Sequence, residues 1–439
     1  MTETTATDQV LAGLDAISPE LADLYRDLHA HPELSLQEQR TAGRAAECLE
    51  RAGFEVTTGV GGTGVVGLLR NGDGPTVMLR ADMDALPVKE GTGLPYASTA
   101  TAIDAEGNEV PVMHACGHDM HVTWLVGAAT LFEQNQASWR GTLLALFQPA
   151  EETAQGAQAM IDDGLFDRFP KPEVILGQHV MPGSAGEVRY RSGTTQAAAD
   201  SIEVRLFGRG AHGSMPESSV DPVVMAASTV LRLQTVVSRE VAASQAAVVT
   251  VGALQAGTKD NVIPDDALLR INVRTFDEAV RTRVLGAIER IVKAEAEASG
   301  APTPPQIDYT EHYPLTVNDP DTTRHVADAL RDCFGAERVN ELAAPVSASE
   351  DFGSFGTEWR VPSVFWYVGG TDPNAYRKAQ QSGHVADDIP TNHNPKFAPV
   401  IHPTLETGVQ AITAAALSYV AYTGRSTVLD GETRAAPGA

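Results

Sequence analysis

Five short apolar runs restrict what this chain can fold into more than any other feature. They are Val65–Leu69, Val77–Arg80, Leu143–Phe147, Val174–Gly177 and Val364–Val368. Several are apolar at consecutive positions instead of alternate ones, the pattern of strands covered on both faces. Helical stretches fall between most of them. That order predicts an α/β fold with a mostly parallel sheet, in which ligands gather at the carboxyl ends of strands. Residues 19–53 read as helix ahead of the first run, with Leu21, Leu24, Tyr25 and Leu28 at helical spacing and a break before Pro32.

Polar clusters stand at the ends of these runs. Arg80-Ala81-Asp82-Met83-Asp84 closes one, Gln148-Pro149-Ala150-Glu151-Glu152 another, and Gly177-Gln178-His179-Val180 a third. Thr391-Asn392-His393-Asn394 follows the last. Between them, Met113–His121 packs one thiol, three imidazoles and a carboxylate into nine positions ahead of an apolar helix from Val122 to Phe132. Cys116 and His118 can converge from one turn, and thiolate and neutral imidazole are donors that zinc and its neighbours prefer. Carboxylates and histidines recurring after separate strands are what a metal site built on a sheet edge requires. His29 and His31, two apart on a helix, point to nearly opposite sides and read as structural or supporting residues.

The middle of the chain changes character. From about Ala198 to Tyr313 the pattern is strand (Ser201–Phe207), helix (Pro222–Arg239), strand (Ala246–Leu254), strand (Ala267–Arg274), helix (Glu278–Ala298) and strand (Gln306–His312). The order βαββαβ is that of a small ferredoxin-like sandwich. Asp221-Pro222 gives an acidic N-cap followed by proline in the first turn. The alternation Ile202, Val204, Leu206 leaves one strand face solvated or paired. Because the α/β pattern then resumes, this unit reads as an insertion. Expected boundaries are an α/β domain in two parts, 1–197 and 314–422, an inserted domain at 198–313, and a disordered tail at 423–439.

Composition narrows the partners. At 439 residues the chain exceeds one ordinary core. No uninterrupted apolar run approaches the roughly 18 residues of a membrane span, and the start lacks the features of a signal peptide. Three scattered cysteines suit a reducing cytoplasm, the expected location. A net charge of −25 argues against nucleic acid or anionic membrane as partner. A small anionic substrate stays compatible, because a local arginine outweighs a distant field screened within about 10 Å.

Taken in order, the blocks Leu28–Leu34, Arg80–Pro87, Met113–His121, Gln148–Gly156, Gly177–Pro182, Gly208–Ser214, Gly257–Pro264, Ser349–Phe352 and His393–Phe397 resemble one family. It is the binuclear-metal amidohydrolase and zinc metallopeptidase group of hippurate hydrolase, auxin–amino acid conjugate hydrolases and bacterial N-acyl-amino acid amidohydrolases, related to aminoacylase and carboxypeptidase-type peptidases. The resemblance covers about residues 20–420.

The resemblance implies two divalent metal ions per subunit, zinc first, with manganese, cobalt or nickel as alternatives. Their ligands would be Cys116, His118, Glu152, His179 and His393, with Cys116 bridging as thiolate. Glu151 would be general acid/base for a metal-activated water, and Asp84 would orient a ligand histidine. His212 would steady the oxyanion, and Asn261 and Arg274 would hold a substrate carboxylate, Arg274 by bidentate contact. The inserted domain would serve as lid, hinged near residues 191–200 and 312–316. It would also join a homodimer, with His212 completing the partner's site. The reaction implied is hydrolysis of an N-acyl or N-aroyl amino acid. A carboxypeptidase or dipeptidase on the same scaffold is the alternative, and a non-catalytic metal-binding protein would lack Glu151 or a ligand.

Overall fold

Alternate residues of the central strands enter two different cores. The computed structural model describes residues 5–421. Val77, Leu79, Leu143, Ala145, Leu176 and Trp366 face one apolar cluster, while Met78, Leu144, Leu146, Ile175 and Phe365 face another. The first is covered by helices Leu14–Ala30, Gln39–Arg51, His118–Gln134, Pro320–Phe334 and Ile401–Val420. The second lies under the shorter helices Gly156–Asp162, Leu165–Arg168 and Gly353–Trp359. Burial on both faces is why the strands are apolar throughout, and each such side chain contributes about 1.5–3 kcal/mol.

The eight-stranded sheet runs Glu55–Val60, Gly64–Asn71, Gly141–Gln148, Thr76–Asp82, Val174–Ser184, Ser363–Thr371, Val188–Tyr190, Val339–Glu341. Its four central strands are mutually parallel. The strand expected at Val65–Leu69 is antiparallel to its neighbours. It forms a hairpin with Glu55–Val60, and so short a connection permits no other direction. The strand expected to stop at Gly177 continues to Ser184, because Ser363–Thr371 pairs alongside it through Tyr367↔His179 and Val368↔Val180. His179 therefore lies within a strand. The helix expected over 19–53 is two helices, Leu14–Ala30 and Gln39–Arg51, parted around Pro32.

A second, four-stranded sheet has the order Ala247–Ala256, Asp266–Thr275, Ala198–Phe207, Gln306–Tyr313, antiparallel throughout. This is the ferredoxin-like arrangement. Helices Pro222–Thr235 and Glu278–Ala298 pack on one face around a cluster whose buried members all fall between Ile202 and Ala296. The helix expected to reach Arg239 ends at Thr235 and continues as a π turn over Val236–Glu240. The alternating strand with Ile202, Val204 and Leu206 is interior; Ala247–Ala256 and Gln306–Tyr313 are the edges. Among the described residues no helix is long and apolar enough to cross a membrane. The tail expected at 423–439 lies outside the described residues.

Candidate metal centre

The carboxyl ends of the parallel strands bring the polar clusters together. Thr76–Asp82 leads into Asp84, and Gly141–Gln148 leads into a 3-10 turn at Glu151–Thr153. Cys116 and His118 flank Gly117, which opens the helix His118–Gln134 at φ +89°. A Cβ on Gly117 would also stand 2.4 Å from a methyl of Val180, so only glycine lets the turn press against the strand carrying His179. His393 comes from the turn after residue 390, its N–H donating to the Ala115 carbonyl.

Hydrogen bonds fix which imidazole nitrogens are free. His179 Nδ1 donates to the Val180 carbonyl at 2.7 Å, leaving the Nε2 lone pair 3.4 Å from Cys116 Sγ. His118 Nδ1 lies 3.2 Å from Asp84 Oδ1, which turns its Nε2 toward Asp82 Oδ2 at 3.7 Å and Glu152 Oε1 at 3.8 Å. Glu152 Oε2 lies 3.3 Å from His393 Nε2. Asp84 Oδ2 accepts from the Glu152 N–H and the Ser35 hydroxyl. His118 Nε2 and Glu152 Oε1 are both buried without a hydrogen-bond partner. Such orphans are rare. Donor atoms of Cys116, His118 and Glu152 all lie within 4.8 Å of one another. Converging lone pairs on soft and hard donors, with a carboxylate behind a histidine, fit a divalent cation.

The electrostatics agree. Burial, then Glu152 and Glu151, pushes the Cys116 thiol well above its usual range. Burial, then Glu350 and Glu152, raises Glu151 in the same way. Burial pulls His118 down, but Asp82, Asp84 and Glu152 outweigh it and hold it up to about 10. The site gathers more negative charge than its own cations offset, the condition that added positive charge relieves.

Cys116, Glu151, Glu152, His179, His393 and Arg274 line a single cavity of about 310 Å³. Arg274 donates to Ser349 Oγ at 2.6 Å, to Asn272 Oδ1 at 3.1 Å and to the Ser347 carbonyl at 3.4 Å, with no carboxylate among its hydrogen bonds to described residues. The structure does not bring His212 or Asn261 to this cavity's wall. They lie together elsewhere: Ala211-His212 pairs with Val262-Ile263, and the Gly213 N–H donates to the Asn261 carbonyl at 2.8 Å. His212 is exposed, its Nδ1 accepting from Ser214.

Several site residues escaped the sequence reading. Arg80 is fully buried and donates to Asp82, Gln148, Glu350 and Asp351. His121 accepts from the Val180 N–H through Nε2 and so donates from Nδ1 to Asp82 at 2.5 Å. Asn392 Nδ2 donates to the carbonyls of Cys116 and Val180, both at 3.1 Å. Arg80 and Glu350 sit in motif blocks, which was a signal without a role. His29 is buried between Asp119 and Glu90, and His31 is exposed.

The sequence pattern of peptidase family M20/M25/M40 matches residues 78–417. The chain belongs to this family. Hippurate hydrolase of Campylobacter jejuni is 39% identical over 347 residues, 77% of this chain and 87% of that protein. N-acetyl-L-cysteine deacetylase of Bacillus subtilis is 36% identical, covering 81% of this chain and 82% of the relative. A dinuclear metal-binding peptidase of the family from Bacillus subtilis superposes with a TM-score of 0.71 at 29% identity, over 92% of this chain and 99% of that one. The M20/M25/M40 chain described here is a hydrolase of amide bonds whose clustered histidines, cysteine and carboxylates suit a metal centre.

Proposed function

We propose that this protein is an N-acyl-amino acid amidohydrolase with two divalent metal ions. Cys116, His118, Glu152, His179 and His393 are the ligands in this reading. The observation that carries it is the pair of orphaned buried donors, His118 Nε2 and Glu152 Oε1, the second of them on the wall of a cavity that Glu151 and Arg274 also line. Ions bound there would polarise the scissile carbonyl and acidify a water. Glu151 takes the proton from the attacking water and passes it to the departing amine nitrogen, without which an amide does not cleave. Asp84 holds the ring of His118. Arg274 meets the substrate carboxylate, and Asn261, which lies beside His212, joins it from the same side as that histidine.

His212, outside its own chain's cavity, serves the partner's site in a homodimer. The edge strand Ala247–Ala256 exposes Val248 and Leu254, and the helix Pro222–Thr235 exposes Val224 and Leu231, at 61% and 73%. An unpaired edge beside an apolar helix face supports pairing there.

A dipeptidase or carboxypeptidase is the second reading, favoured by Glu311, an acid on the cavity wall that could face a substrate ammonium. The deciding experiment assays N-acetyl-, N-benzoyl- and indoleacetyl-amino acids beside dipeptides, with zinc, manganese, cobalt or nickel added after chelation. Cleavage of the N-acyl compounds, abolished by chelation, is expected. Turnover of dipeptides alone would favour the second reading, and full activity in metal-stripped protein would overturn both.

A further inference from the structure

Glu38 is a carboxylate without exposure, placed at the start of the helix Gln39–Arg51. Its Oε1 accepts two main-chain N–H groups, Leu36 and Ala150, each at 2.9 Å. Its Oε2 accepts the Thr63 hydroxyl at 2.5 Å. Both main-chain donors belong to residues in the left-handed region, Leu36 at φ +64° and Ala150 at φ +48°. Non-glycine residues persist there only where their surroundings enforce it.

Ala150 immediately precedes the 3-10 turn that presents Glu151 and Glu152. The turn is tight on its other side as well: the Gly156 N–H donates to the Ala150 carbonyl, and a Cβ on Gly156 would fall 1.6 Å from the Pro149 oxygen. Ser35, in the same loop as Leu36, reaches the turn through Asp84. The loop before Gln39–Arg51 is thereby tied to the catalytic turn across more than a hundred residues of sequence.

We propose that Glu38 is a positioning residue for the catalytic turn: by accepting the Ala150 N–H it holds that residue left-handed and aims the carboxylates of Glu151 and Glu152. This rests on the roles given to Glu151 and Glu152 in the proposed function. The role is that of a hydrogen-bond acceptor, so an amide oxygen at the same place suffices. Relaxation of Ala150 toward ordinary backbone would swing the turn, and a displacement near 1 Å in a catalytic group costs on the order of 100-fold in rate.

The experiment compares Glu38→Gln, Glu38→Ala and the double variant Glu38→Ala/Ala150→Gly. It reads kcat and KM at saturating metal, and metal affinity by competition with a chromogenic chelator. Glu38→Ala is expected to lower kcat about 100-fold with KM little changed, and to weaken metal binding about tenfold through Glu152. Glu38→Gln should stay close to the parent in both. Ala150→Gly should restore much of what Glu38→Ala loses, because glycine takes positive φ without enforcement. If Glu38→Ala does not fold, Glu38→Asp, too short to reach both N–H groups, replaces it with the same expectations. An unchanged kcat and metal affinity in Glu38→Ala or its replacement overturns the proposal. So does a Glu38→Gln variant as damaged as the alanine one, or a double variant without recovery. Metal affinity is read without substrate, so an error in the proposed substrate would leave that arm standing.

Discussion

Replacing Glu151 by glutamine should separate activity from stability in opposite directions. None of the hydrogen bonds described above ends on the Glu151 carboxylate; the contact to this residue from Tyr313 is to its main-chain oxygen. Glutamine is nearly isosteric, so little packing is lost. Carboxylate oxygens of Glu151, Glu350 and Asp351 lie within 4.8 Å of one another. Two unit charges at that separation repel by about 3 kcal/mol at an effective dielectric constant of 20. Burial and these neighbours already raise the Glu151 carboxyl, so protonation removes much of that repulsion, and Arg80 offsets charge on Glu350 and Asp351; the variant gains at most about 1 kcal/mol. Metal-free Glu151→Gln should therefore melt at the parent's temperature or a few degrees above it. Its kcat should fall by about 10²–10⁴, the usual worth of a positioned acid/base, equivalent to about 3–5 kcal/mol of barrier. Metal content by mass spectrometry should be unchanged, because the proposed ligand is the neighbouring Glu152. Near-normal turnover would remove Glu151 from the mechanism, and loss of a metal ion would show that it is a ligand.

Arg274→Ala should cost far more with N-acyl-amino acids than with the matching amides, and equal losses in kcat/KM on both would remove it from carboxylate recognition. Mixing His212→Ala with Glu151→Gln should regenerate activity if the site is shared between chains; a mixture that exchanges subunits and stays inactive would place His212 elsewhere. Cys116→Ala should lose at least one metal ion together with activity, as measured by metal analysis. His29 carries a pH signature. Burial pulls it down, but Asp119 and Glu90 outweigh this and hold it up to about 9, with the Tyr25 and Tyr96 rings packed against it. The folded value lies above the unfolded 6.5, so the stabilisation is complete below pH 6.5 and fades as pH rises to about 9, by roughly 3 kcal/mol. Urea unfolding followed by tryptophan fluorescence should show this loss in the parent and not in His29→Gln; an identical pH dependence in both would refute it.

Much of the architecture was legible because its cause is local. Consecutive apolar positions mark strands buried on two faces, and 3.6-residue and two-residue spacings marked the helices and strands of the inserted sandwich. Cys116, His118, Glu151 and Glu152 could be singled out because glycine turns and strand ends leave a sequence trace. Strand direction was less legible: Val65–Leu69 is antiparallel through a hairpin whose partner, Glu55–Val60, is too polar to read as a strand. The end of the strand carrying His179 was fixed by its neighbour in the sheet.

The tertiary structure alone decided which polar residues share one site. Arg80 reaches Glu350 across 270 positions, Gln148 reaches Asp351 across 203, and Glu38 reaches Ala150 across 112. Each looks in sequence like an ordinary charged or amide residue at an element boundary. A sequence determines propensity and periodicity, which act over a few residues. The partner of a buried charge is set by strand order, which places the ends of distant segments side by side where water is excluded and every polar atom must be matched.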